Sequence, residues 1–135
     1  MATVLVTGVG GAAGIGAIRS LHDQTTHDVI GVDMNPQAAG RFLADASAVV
    51  PRATDHDWAD TLGSVVADHD VDAIVPTVDE ELLELDRLRA TVPASVPVIA
   101  PRSGLAELAL DKYRTMQRLE RAGHTVPNTW LATNR

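Results

Sequence analysis

The chain contains no cysteine. That excludes a disulfide framework, a thiolate metal site, a cysteine nucleophile and a dithiol redox pair. Lysine is almost missing: ten of the eleven basic residues are arginines, and Lys112 is the exception. Aromatic residues make up 3% of the sequence, so Val, Leu, Ile and Ala must build the core. No apolar run approaches the ~20 residues of a membrane helix. The first residues, Met1-Ala2-Thr3-Val4, pass directly into a strand pattern, so no signal or transit peptide is expected. Positive charge is lacking as well. A formal charge of −7 argues against a nucleic-acid-binding surface, which needs clustered basic residues. Together these absences point to the cytoplasm, with neither membrane nor nucleic acid as a partner. The acids are thirteen Asp and five Glu. That bias fits a GC-rich genome or a salty cytoplasm, and stability rising in molar KCl is the test of the second.

What is present suits one folded domain: 135 residues, 45% of them hydrophobic. Short apolar runs alternate with helical patterns. Thr3-Val4-Leu5-Val6-Thr7 is a β-branched run suited to a strand buried on both faces of a parallel sheet. Further strands are expected over residues 29–33, 48–51, 73–76 and 96–100. Helices are expected over 14–22 and 57–68, in a short piece carrying Phe42 and Leu43, and after Ser103-Gly104. Thr77-Val78-Asp79-Glu80 has the form of a capping box, opening a helix that carries Leu82, Leu83, Leu85 and Leu88. These leucines are core or part of a dimer face. Five strands separated by helices imply an α/β fold, a Rossmann-like three-layer α/β/α arrangement around a mostly parallel five-stranded sheet.

Behind the first strand lies Thr7-Gly8-Val9-Gly10-Gly11-Ala12-Ala13-Gly14. It fits G-x-G-x-x-G/A through Gly8, Gly10 and Ala13, and T-G-x-x-G-x-x-G through Gly8, Gly11 and Gly14. Small residues there let backbone N–H groups approach an anion at the positive end of a helix. Glycine is equally what a tight strand-to-helix turn needs without any ligand. Asp33, ending the second strand, sits where an acid would hold a ribose hydroxyl, or it is a turn acid. A short-chain dehydrogenase further needs Tyr-x-x-x-Lys, and here Gln117 stands four residues after Tyr113, the single tyrosine.

From residue 111 the alternation changes. Asp111 to Ala122 reads as a helix with Met116, Leu119 and Ala122 in a stripe, Gly123 as its left-handed cap, and His124 to Leu131 as a turn leading into a strand. Four segments, VLVTGVGGAAG, GVDMNPQAAGRFLADASAVVP, VDAIVPTVDEELLEL and DKYRTMQRLERAGHTVPNTW, occur in this order. Over Val4 to Trp130 the chain resembles the N-terminal region of ATP-grasp proteins such as the carbamoyl-phosphate synthase large chain.

The resemblance implies a pre-ATP-grasp Rossmann-like domain over residues 1–109 and the truncated start of an ATP-grasp domain over 110–135. It implies ATP and Mg²⁺ as cofactors of the full-length protein, small-molecule carboxylate and amine substrates, and a missing C-terminal ATP-grasp domain as partner. A homodimer is compatible with it. Lys112 is the residue it carries over as a contact to nucleotide phosphate, beside Gly8, Gly10, Gly11 and Gly14 in the glycine-rich turn. Asp79 and Glu81, at the carboxyl edge of the fourth strand, are the substrate candidates; Glu80 reads as a cap. The fragment alone is then not catalytic. The alternatives are an NAD(P)-binding domain of a dehydrogenase or epimerase, and a nucleotide-responsive binding module. Asp55-His56-Asp57 resembles a metal cluster on paper, but adjacent loop residues seldom converge on one ion, so no metal ligand is assigned.

Overall fold

A computed structural model describes residues 1–132, which divide into two units, Met1–Ala100 and the segment from Pro101 on. In the first unit, β1 (Thr3–Val6), β2 (Asp28–Asp33), β3 (Ala46–Val49) and β4 (Ala73–Val75) form one sheet in the order β3-β2-β1-β4. All three pairings are parallel, with Val4 opposite Val29 and Ala73, and Ile30 opposite Ala46. Parallel neighbours require crossovers. Helix α1 (Ala12–Gln24) links β1 to β2, and α2 (Trp58–Asp68) links β3 to β4. A single 3-10 turn, Ala39–Phe42, stands between β2 and β3.

The strands are apolar on both sides because both sides are covered. Leu5, Ile30, Val32 and Ile74 pack with Trp58, Leu62, Val65 and Val66 of α2. Val4, Val6 and Val29 pack with Val9 and with Ile18 of α1. Each fully buried side chain of this kind contributes roughly 1.5–3 kcal/mol. This is the expected three-layer arrangement.

The sheet has four strands, not five. Residues 96–100 add one parallel bridge, Ile74 to Val98. Ile74 N–H donates to the Pro97 carbonyl at 2.9 Å, and Ile99 N–H donates to the Ile74 carbonyl at 2.8 Å. Pro97 and Pro101 have no N–H to continue the ladder, so the element stops there.

The expected capping box does not form. Val78 is the N-cap of α3 (Asp79–Leu83) and makes no side-chain cap bond. The Thr77 hydroxyl donates instead to the Thr7 carbonyl at 2.7 Å. The expected helix is also broken at Glu84, where α4 (Leu85–Thr91) begins. Leu85 and Leu88 are fully buried and belong to the core, whereas Leu83 is 54% exposed.

In the second unit, α5 (Ser103–Leu110) is followed by α6 (Lys112–Arg121). Asp111 caps α6, accepting the Arg114 N–H at 2.9 Å. Gly123 lies at φ 86. His124 N–H returns to the Leu119 carbonyl and Gly123 N–H to that of Glu120, the paired bonds of a Schellman motif. Residues 124–132 run without helix or strand, so the strand expected over His124 to Leu131 is absent among the described residues.

Candidate functional site

Strand order reverses at β1: the chain steps outward through β2 and β3, then returns to place β4 on the other side of β1. In open parallel sheets the crevice at such a reversal, beyond the carboxyl ends of the strands, is where ligands bind. Here it is a cleft of about 750 Å³. Its walls come from the loop after every strand: Gly8 and Gly10 to Ala13, Asp33 to Asn35, Val50 to Thr54 and Thr77 to Glu81.

The glycine-rich wall is folded onto itself. Gly8 takes φ 58, a left-handed conformation that glycine adopts without a Cβ clash. Its carbonyl accepts the Gly11 N–H at 3.0 Å. Gly10 N–H donates to Asp33 Oδ2 at 2.7 Å, and Asn35 N–H donates to Asp33 Oδ1 at 2.8 Å. Gly14 is buried under the loop rather than open to the cleft. Asp33 therefore joins the end of β2 to the turn after β1, which is the turn-acid role. Two of the amides that a phosphate would seek are engaged inside the protein.

Glu81 lies on the opposite wall. It is 5% exposed, and with Thr7 it is one of the two buried polar residues of the described chain. Thr7, directly after β1, donates its hydroxyl to Glu81 Oε2. The same Thr7 oxygen accepts the Thr77 N–H at 3.0 Å. Burial pushes the Glu81 carboxyl up to about 7. The Thr7 hydroxyl and the Val78 backbone oppose that rise, while the charges of Asp33 and Glu80 add to it.

Asp79 and Glu80 are exposed at the cleft. Arg52, after β3, is the only basic residue of the lining among the described residues. The cleft is thus acid-rich, with Asp33, Asp79, Glu80 and Glu81 facing one arginine. Lys112 is elsewhere in the chain, exposed at the start of α6. Of the candidate residues, the structure brings Gly8, Gly10, Gly11, Asp79 and Glu81 into one cleft, sets Gly14 beneath it, and leaves Lys112 in the second unit.

Sequence reasoning missed Thr7, Thr77 as its partner, and Arg52. Thr7 left one signal, a hydroxyl ending an otherwise apolar run immediately before Gly8. Arg52 left none. Asp55-His56-Asp57 forms no metal cluster; among the described residues no three His, Asp or Glu side chains are grouped to hold an ion.

Over residues 4–99 the sequence matches the family described as PylC-like, N-terminal domain. No protein of curated function matches it. Solved structures do. N5-carboxyaminoimidazole synthetase from Staphylococcus aureus, complexed with ADP, superposes with a TM-score of 0.66 at 20% identity, over 90% of this chain and 30% of that one. Glycinamide-RNase-transformylase T from Mycobacterium tuberculosis gives 0.64 at 20% identity, over 90% and 35%. The biotin carboxylase domain of a single-chain bacterial carboxylase gives 0.65 at 18% identity, over 91% and 29%. This chain spans about a third of the length of those structures.

Proposed function

The chain belongs to the PylC-like N-terminal domain family, and from that premise we propose that it is the pre-ATP-grasp domain of an ATP-dependent carboxylate–amine ligase. In such a ligase ATP supplies the phosphoryl group that activates a carboxylate for attack by an amine. The order of VDAIVPTVDEELLEL and DKYRTMQRLERAGHTVPNTW supports a carbamoyl-phosphate-synthase-like member. The remaining catalytic machinery, a homodimer and a cytoplasmic setting are parts of the same reading.

The observation that carries the assignment of the cleft is the buried Glu81 among Asp33, Asp79 and Glu80. Such a lining does not fit a triphosphate. Four carboxyl groups oppose its charge, one arginine does not offset them, and the Gly10 and Gly11 amides are engaged with Asp33 and Gly8. It suits a cationic group, the ammonium of an amine substrate. Asp79 and Glu81 bind and orient that group here, and Gly8, Gly10 and Gly11 shape the wall beside it, with Gly14 packed beneath them. Nucleotide phosphate falls to Lys112, an exposed ammonium at the start of α6, and Mg²⁺ is a cofactor of the full-length ligase.

The test is a kinetic split in the full-length ligase. Glu81→Gln and Asp79→Asn raise KM for the amine by roughly tenfold or more, as loss of a charge-assisted hydrogen bond requires, and leave KM for ATP unchanged. Lys112→Ala does the reverse. An amine KM indifferent to both acids overturns the reading of the cleft.

A further inference from the structure

Among the described residues Glu81 has no cationic partner, and the side-chain donor that reaches it is Thr7. Thr7 is fully buried, so water does not replace that donor. Its oxygen is fixed from the other side. Thr77 N–H, a group that only donates, bonds to Thr7 Oγ1 at 3.0 Å. The Thr77 hydroxyl in turn donates to the Thr7 carbonyl at 2.7 Å. Two bonds therefore lock residue 7, at the end of β1, to residue 77, just past β4. With one lone pair of Thr7 Oγ1 taken, its single proton is turned to Glu81.

We propose that Thr7 is the positioning residue of the cleft: its hydroxyl, oriented by the Thr77 N–H, holds the Glu81 carboxylate in place and favours its ionised form. The use of that carboxylate for a substrate ammonium rests on the function proposed above; the Thr7–Glu81 relation does not. The charged groups around Glu81 make such a donor necessary. Asp33 at the end of β2 and Glu80 on α3 both oppose its ionisation. Asp79 adds a further acid to the cleft, and Arg52 from the loop after β3 is the single cation of the lining among the described residues. A neutral donor placed against the carboxylate stabilises the charge without bringing in a competing cation.

The experiment is a side-chain carboxyl ¹³C NMR titration of the 135-residue chain, whose five glutamates keep the spectrum simple and whose Glu81 resonance is assigned with Glu81→Gln. Thr7→Val keeps the shape and removes the hydroxyl; the Glu81 midpoint rises by about one pH unit, the loss of one hydrogen bond to the charged form. Thr7→Ser restores the wild-type midpoint. An unchanged midpoint in a folded Thr7→Val chain overturns the proposal. Thr7→Val also leaves the Thr77 N–H without its acceptor, so a second measurement uses the wild type. There the Thr7 hydroxyl proton exchanges slowly and its resonance moves with the Glu81 titration; a fast-exchanging, pH-insensitive hydroxyl overturns the proposal as well. If the midpoint shifts as stated while the amine KM of the full ligase ignores Glu81→Gln, Thr7 keeps its role and the substrate reading falls.

Discussion

Gly14 lies against the backbone of Gly8: a Cβ at position 14 would stand 2.6 Å from the Gly8 carbonyl oxygen and 2.7 Å from Val9 Cα. Neither atom belongs to a side chain that can rotate away. Two residues further along the same helix the situation differs, since a Cβ at Gly16 meets nothing within 4 Å.

The two glycines of α1 should therefore respond oppositely to alanine. Gly14→Ala costs about 3 kcal/mol or more through overpacking against backbone. Gly16→Ala, exposed in a helix interior, gains up to about 1 kcal/mol. Urea unfolding of both variants measures this, and equal effects would show that α1 is not seated on the glycine turn.

The buried carboxyl of Glu81 sets a pH dependence of stability. Between its ordinary value of 4.5 and about 7 the folded chain holds a proton that the unfolded chain has released. Stability thus falls as pH rises through that window, by on the order of 3 kcal/mol, and levels off above it. Glu81→Gln removes this component and is the more stable protein at pH 8. Asp45 acts in a separate window. The Val29 N–H and then His22 hold its carboxyl below the usual 3.8, so its contribution is present above that value and lost in stronger acid. Thermal melts from pH 2 to 8 separate the two, and a Glu81→Gln profile parallel to wild type would exclude the first.

Asp70 closes α2 in the left-handed region, at φ 49. Val71 N–H bonds to the Val66 carbonyl at 3.0 Å, the long bond of a Schellman turn made without glycine. Asp70→Gly should stabilise by roughly 0.5–1 kcal/mol, and Asp70→Val should destabilise by about 1–2 kcal/mol, because a branched Cβ is most strained there. Denaturant midpoints of the pair decide it.

A dinucleotide should find the cleft hostile. Both Asp33 oxygens already accept backbone N–H groups, and the pyrophosphate would meet Asp79 and Glu80. NADH titrated by fluorescence is expected to show no saturation up to about 1 mM. Saturable micromolar binding would return the glycine turn to the nicotinamide reading.

The parts of this fold legible in the sequence are those decided by neighbours along the chain. Val4-Leu5-Val6 and Val29 to Asp33 read as buried strands because apolar runs end at turn residues, and the structure places β1 and β2 there. Gly123 read as a helix cap for the same local reason, and its φ of 86 agrees. What was not legible depended on partners far away. Thr77 and Glu80 have the spacing of a capping box, yet the Thr77 hydroxyl goes to a carbonyl 70 residues distant. Glu81 was readable as an acid at a sheet edge. Its burial was not, because the hydroxyl it meets lies 74 residues earlier. The third strand began two residues before the expected one, at Ala46, since alanine and serine carry little strand signal.

The short segment beside β4 also governs what the sheet can recruit. A bare edge strand is a template on which another chain can lay down its own backbone. Alongside β4 the segment bearing Pro97 occupies the Ile74 N–H and carbonyl, and the N–H groups of Val96 and Ala100, which face away from β4, are spent on the Pro93 and Val98 carbonyls, so a newcomer finds few donors there. Growth by strand addition is blocked on that flank, so the sheet propagates, if at all, from β3.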